Sequence, residues 1–149
     1  MAIRGVQLGS VIVAMALTAG VVAAQHVPAP AADHTTVVKA VGSVRDVMLA
    51  LTIPTSETVF KAASEPPKDA AGWSHVRNQA VALAESANLL LIGDRVPDRD
   101  AWVRFSIAQR DAAVAAIKAA ESRDGDALSN ASDALYETCD NCHKQYMKK

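Results

Sequence analysis

Apolar side chains recur at intervals of three and four residues along the chain, and this spacing constrains the fold more than any other feature. The pattern is clearest in residues 69–92, whose apolar face carries Trp73, Val76, Ala80, Leu83, Ala87 and Leu90. Residues three and four apart share one face of an α-helix, whereas a half-buried strand alternates with a period of two. The spacing therefore predicts an all-α protein.

Three further segments show the same spacing. The first spans 35–51, with Thr35 or Thr36 as its N-cap and an apolar face at Val37, Val41, Val44, Met48 and Leu51. Pro54 interrupts or bends this helix before a shorter piece that runs to about Ala63. A third helix over 99–122 carries Val103, Ile107, Val114 and Ile117, with Asp98 or Asp100 as its cap. The last helix, over 126–148, carries Leu128, Ala131, Leu135, Cys139, Cys142 and Tyr146. Four helices with short links predict an antiparallel four-helix bundle over 35–149.

The N-terminal residues have the order of a secretory signal peptide. Arg4 is the only charged residue among the first 32, and an apolar run from Val6 to Ala24 follows it. Val22 and Ala24 fit the cleavage motif, which predicts a signal peptide over 1–24 that is cut after Ala24. A retained membrane anchor is the alternative, although the run is near the lower length limit for a span. Residues 25–34, with two prolines, are expected to form a flexible leader.

Charge balance excludes one class of partner. The chain has 15 Lys and Arg against 16 Asp and Glu, without the basic excess that nucleic-acid binding requires. Removal of residues 1–24 leaves 14 against 16, so the exported chain is mildly acidic. We expect no nucleic-acid partner, and no membrane attachment once the signal peptide is removed.

Both cysteines of the chain lie in one pentapeptide, Cys139-Asp140-Asn141-Cys142-His143. On a helix, thiols at positions i and i+3 share a face, so both can reach the vinyl groups on one edge of a haem. The histidine then reaches the iron from the same side as its proximal ligand. The motif predicts one covalently bound haem c, with thioethers at Cys139 and Cys142 and iron ligation by His143.

Other uses of these residues fit less well. A thioredoxin-like C-x-x-C opens a helix in a βαβ unit, and a structural zinc site needs four ligands. The remaining histidines, His26, His34 and His75, are not paired. A plain disulfide is the simplest alternative in an exported protein, but it leaves His143 without a role.

An export signal, four predicted helices and C-x-x-C-H-x-x-Y in the last of them resemble the class II c-type cytochromes, the cytochrome c′ family. The resemblance covers the whole exported chain in architecture and is specific in sequence around 136–146. It implies a periplasmic haem protein, with Tyr146 packed near the haem.

The resemblance also implies that a residue of the first helix faces the distal side of the iron. In that family, Met gives a six-coordinate iron, and Leu or Phe is frequent in five-coordinate members. An Arg four positions earlier contacts a haem propionate. Arg45 lies three residues before Met48 and four before Leu49. The apolar seam favours Met48 as distal ligand, with Arg45 as propionate partner. Arg110 is a weaker propionate candidate, and His34 and His75 are weaker ligand candidates.

Two functions follow from these alternatives. With His143 and Met48 as ligands, the chain is an electron carrier rather than an enzyme, and its partners are redox proteins. With a five-coordinate iron it is a protein that binds or buffers NO or CO. A haem-free helical module with a disulfide is the third alternative. Helical bundles of this kind often pair through flat faces, which leaves a homodimer open.

The signal-peptide prediction can be tested directly. Protein exported to the periplasm should begin at Gln25, because the cleavage motif ends at Ala24. Mass spectrometry of the intact exported chain measures this. A chain that keeps residues 1–24 and sediments with membranes would favour the retained anchor.

Overall fold

The computed structural model describes residues 38–147 of the protein. Its helices in chain order are α1 (Val44–Val47), a π-helical turn (Met48–Thr52), α2 (Ile53–Ser64), α3 (Ala70–Leu89), a 3-10 turn (Gly93–Arg95), α4 (Ala101–Ser122) and α5 (Gly125–Tyr146). Residues 38–147 contain no strand, which confirms the all-α prediction for this range. The predicted signal peptide over 1–24, the leader over 25–34, and Thr35 and Thr36 lie outside the described residues.

Two side-chain contacts show that α3 and α4 run antiparallel. The Arg77 side chain, near the start of α3, pairs with Glu121 near the end of α4, with 2.8 Å between Nε and Oε1. At the other end, Trp102 of α4 donates from Nε1 to the carbonyl oxygen of Leu90, just after α3, at 2.9 Å. Helix α2 packs against both α3 and α5, and α4 packs against the same two helices. These are the contacts of an antiparallel helical bundle.

Small side chains fill most of the core between these helices. The six predicted face residues of α3 are all buried, which confirms the periodicity in that segment. Eleven of the buried apolar core residues on α2–α5 are alanines: Ala62, Ala80, Ala84, Ala87, Ala101, Ala112, Ala113, Ala116, Ala119, Ala120 and Ala131. The distance between helix axes depends on the side chains at the contact, so alanine lets these backbones approach closely.

The first helix differs from the predicted helix in the residue at which it begins and in the face that it buries. It begins at Val44, where the Ser43 hydroxyl accepts from the Asp46 N–H and the Asp46 carboxylate accepts from the Ser43 N–H. This capping box sets the helix start, and residues 38–43 are not helical. Val41 is 98 % exposed, so the predicted face through Val41 is wrong. The buried positions are instead Val47, Thr52, Thr55, Ser56, Val59 and Ala62.

Pro54 explains the π-helical turn that changes the face. Proline has no N–H to donate and crowds the carbonyl four residues earlier. The chain accommodates it by widening the preceding turn, in which the Ile53 N–H donates to the Met48 carbonyl five residues back. The wider turn shifts every later side chain around the helix axis. Pro54 therefore alters the helix phase without ending the helix.

Helix α4 buries a different face from the predicted one. Ile107 is 36 % exposed, and Val103, Val114 and Ile117 are only half-buried. The deeply buried side chains are mainly small or capable of hydrogen bonding: Trp102, Ser106, Gln109, Ala112, Ala113, Ala116, Ala119 and Ala120. Since α4 packs between α3 and α5, its alanines occupy the close contacts and its larger apolar residues lie at the flanks.

Truncating a side chain in the core should lower the free energy of unfolding more than truncating one at the edge of the core. Leu83 is fully buried, so Leu83→Ala should lower the free energy of unfolding by about 2–5 kcal/mol. The control Ile107→Ala, on the exposed side of α4, should cost about 0.5 kcal/mol or less. Urea unfolding followed by circular dichroism measures both. Equal losses from the two variants would contradict the observed burial.

Candidate functional site

A cavity of about 730 Å³ opens at the end of the bundle where α3 connects to α4. Its walls come from α1, the π-helical turn, the α3–α4 connection, the start of α4 and the end of α5. The lining residues are mostly apolar: Val44, Arg45, Met48, Leu49, Ile53, Asp94, Arg95, Pro97, Trp102, Cys142, His143, Tyr146 and Met147. A large apolar pocket with a few polar groups is the usual form of a small-molecule or cofactor site.

The pentapeptide lies on the α5 wall of this cavity. Cys142 and His143 both line it, and Tyr146 follows one turn later. Cys142 also packs against the small buried cluster of Val47, Leu90 and Trp102. Cys139, one turn earlier, packs instead against the main core and is not part of the cavity wall. The two sulfur atoms therefore lie where the main core meets the cavity.

The environment of the thiols differs from that of a redox-active C-x-x-C. Burial raises the pKa of Cys139, and burial together with the neighbouring Cys139 raises the pKa of Cys142 to about 11. Both thiols are free and remain protonated near pH 7. A redox-active pair at a helix start has a lowered thiol pKa. Here the pair lies in the last third of α5, and neither thiol has the lowered pKa of such a redox-active pair.

Tyr146 is fixed by a carboxylate from the connection that precedes α4. Its hydroxyl donates to Asp98 Oδ2, and Asp98 Oδ1 accepts from the backbone N–H groups of Asp100 and Trp102 at 3.1 and 3.2 Å. Asp100 occupies the N-cap position of α4, but the side chain that caps the first turn is that of Asp98. The Tyr146 ring also meets the edge of Trp102, with 5.0 Å between ring centroids. Tyr146 thus links the end of α5 to the start of α4 at the cavity wall.

The first helix supplies the opposing residues. Met48 and Leu49 both line the cavity. Met48 is half-buried against the Val47, Leu90 and Trp102 cluster, whereas Leu49 is 55 % exposed. Arg45 lies exposed on the rim. The structure therefore brings Arg45, Met48, Cys142, His143 and Tyr146 to one cavity.

Other candidates lie elsewhere. His75 is exposed on α3, and Arg110 pairs with the adjacent Asp111 at 3.0 Å; neither lines the cavity. His34 lies outside the described residues. Trp102 is both buried and part of the cavity wall.

Arg95 is a cavity residue that the sequence did not single out. It lies in the connection between α3 and α4, yet it is only 8 % exposed. Its sequence neighbours, Asp94 and Val96, resemble those of many solvated turns. The feature that could have pointed to Arg95 is its position in the α3–α4 connection, which lies across the cavity from the pentapeptide.

The described residues fit a covalently held haem. The cavity is large and mainly apolar, and Cys142 and His143 of the cysteine–histidine motif lie at its wall. Leu49, Ile53 and Met147 line it while remaining exposed to solvent, as expected of a surface that an occupant covers. The histidine and the thiols are residue types that hold haem. In residues 38–147, no three His, Cys, Asp or Glu side chains form a cluster suited to a metal ion.

No protein-family model matches the chain, and comparisons with curated proteins and with solved structures give no significant match. Within residues 38–147, no helix combines the length and apolar character needed to cross a membrane. Function is therefore inferred from the chain's own residues.

The Tyr146–Asp98 contact generates a pH prediction. Burial, with the Asp98 carboxylate adding, raises the pKa of Tyr146 to about 12 from its usual 10. The folded state therefore favours the neutral phenol. This contribution to stability is complete below pH 10 and is lost as the pH rises through about 12.

Tyr136→Phe leaves Tyr146 as the chain's single tyrosine, so the ultraviolet difference absorbance of the phenolate reports Tyr146 alone. We expect the phenolate absorbance to rise with a midpoint near pH 12. Asp98→Asn in the same background removes the neighbouring negative charge and should move the midpoint back towards 10. A midpoint of 10 before that change would contradict the contact.

Proposed function

We propose that this protein is an exported, periplasmic c-type cytochrome that carries single electrons between redox partner proteins. The observation that carries the proposal is the position of Cys142 and His143 on the wall of a large apolar cavity. Under this proposal, Cys139 and Cys142 hold one haem through thioethers and His143 is the proximal iron ligand. Bound haem supplies one-electron exchange at its iron.

The remaining residues hold the cofactor in place and exclude water. The apolar wall, including Trp102 and Met48, removes solvent from the cofactor, which strongly affects a haem's reduction potential. The Tyr146–Asp98 hydrogen bond fixes the end of α5 that carries His143. Met48 is the proposed distal ligand, and Arg45 on the rim is a proposed partner of a haem propionate. No step in this function requires bond chemistry on a substrate, so the protein is not proposed as an enzyme.

Covalent haem can be tested with matched cysteine variants. The full chain, expressed with a cytochrome c maturation system, should give a pyridine haemochrome spectrum with one haem per chain. Cys139→Ser and Cys142→Ser should each lose one thioether, which shifts that spectrum, and the double variant should lose covalent haem. Tyr136→Phe, on an exposed side chain of the same helix, is the control and should keep full haem content. Wild-type protein without haem would overturn the proposal.

A gas-binding haem protein is the second candidate function. The observation that favours it is Leu49, which lines the cavity beside Met48 on the same π-helical turn. If Leu49 rather than Met48 faces the iron, the sixth position stays open to NO or CO.

The absorbance spectrum of the reduced protein with and without CO separates the two functions. We expect a low-spin spectrum that CO leaves unchanged, because Met48 occupies the sixth position. Met48→Ala should then become high-spin and bind CO, whereas Leu49→Ala should behave as wild type. A high-spin wild type that Met48→Ala does not alter would favour gas binding.

A further inference from the structure

Arg95 is a buried cation on the wall of an otherwise mainly apolar cavity. It lies in the 3-10 turn between α3 and α4, with 8 % of its surface exposed. Arginine is rarely buried to this extent unless it is paired with an anion. The side chains and carbonyl groups around Arg95 therefore show whether the protein itself supplies that anion.

Two backbone carbonyl groups hold the guanidinium. Arg95 Nε donates to the Gly42 carbonyl and Nη1 donates to the Leu89 carbonyl, each at 2.8 Å. A guanidinium has five N–H donors in a rigid fork, and Nη2 makes no hydrogen bond to any residue in 38–147. Within that range, every fully buried side-chain nitrogen or oxygen has a partner. Because Nη2 has no partner in that range, it is not one of the fully buried atoms.

The neighbouring carboxylates do not neutralise this charge. Arg95 is close enough to Asp46 to help lower the pKa of that carboxyl, but Ser43 has the larger effect. The Asp46 carboxylate accepts from the Ser43 N–H at 2.8 Å and from the Ser43 hydroxyl at 2.7 Å. Asp94 is exposed, and neither carboxylate forms an ion pair with Arg95 in the described part of the chain.

We propose that Arg95 binds a carboxylate of the molecule that occupies the cavity. This inference rests on the proposed function, under which that carboxylate is a haem propionate. A carboxylate is an anion whose geometry the planar guanidinium matches, and Nη2 can donate to it while Nε and Nη1 keep their carbonyl partners. Arg45 lies on the α1 side of the cavity and Arg95 on the α3–α4 side. Each arginine can then serve one of the two propionates.

If Arg95 had only a structural role, its two hydrogen bonds would connect residue 42 to the end of α3, and it would bind no ligand. The propionate bending bands in the resonance Raman spectrum separate the two roles, because they respond to hydrogen bonds at the propionate and not to ties within the protein. The test uses the full mature holoprotein and the variants Arg95→Gln, Arg95→Lys and Arg104→Gln. Arg104 is the control, since it is exposed, pairs with Asp100 and does not line the cavity.

Haem content by pyridine haemochrome is measured first and should be equal in all four proteins, because thioethers retain the haem. We then expect Arg95→Gln to shift a propionate band, Arg95→Lys to shift it less, and Arg104→Gln to leave it in place. Full haem content with unchanged bands in Arg95→Gln overturns the inference and leaves the proposed function intact. If Arg95→Gln does not accumulate, unchanged bands in Arg95→Lys overturn it. A wild type without haem overturns the proposed function and the propionate assignment with it.

Discussion

The carboxylate of Asp98 holds the site end of the bundle together. One oxygen caps the first turn of α4, and the other accepts the hydroxyl of Tyr146 in the last turn of α5. The same helix turns carry Trp102 and His143, so their positions on the cavity wall depend on this residue. Both kinds of bond favour the ionised carboxylate, and the Tyr146 hydroxyl contributes most to lowering its pKa. A single side chain thus combines helix capping with the placement of the cavity wall.

The cavity exists because packing changes along the bundle axis. In the main core, alanines on α3, α4 and α5 allow close helix contacts. Towards the site end, the first helix widens into its π-helical turn, and its apolar side chains Leu49 and Ile53 remain exposed. Within residues 38–147, no helix covers those two side chains. The cavity is the space between this turn and α5, the helix that carries the cysteine–histidine motif.

Much of the architecture was predictable because strict periodicity and burial coincide. The α3 face and the buried half of the α5 face were confirmed residue by residue. The first helix was predicted less well, because a capping box at Ser43 and a widened turn before Pro54 depend on local hydrogen bonds that apolar spacing does not register. For α4, alanine carries too weak a hydrophobic signal to mark the contact face. Cys142 and His143 could be singled out because they lie in one peptide motif, and the structure places both on the cavity wall. Arg95 depends on a tertiary arrangement of two distant carbonyls, which no local pattern encodes.

The two buried clusters differ greatly in size, and this sets where the fold can open. The main cluster contains 15 buried residues, whereas the cluster beside the cavity contains only Val47, Leu90 and Trp102. Regions with few buried apolar contacts open at lower free energy than the global fold. The site end can therefore open locally while the alanine-rich half of the bundle stays folded. A molecule that binds both α1 and α5 there would raise the free energy of opening at the site end towards that of the main core. The two parts would then unfold as one cooperative unit.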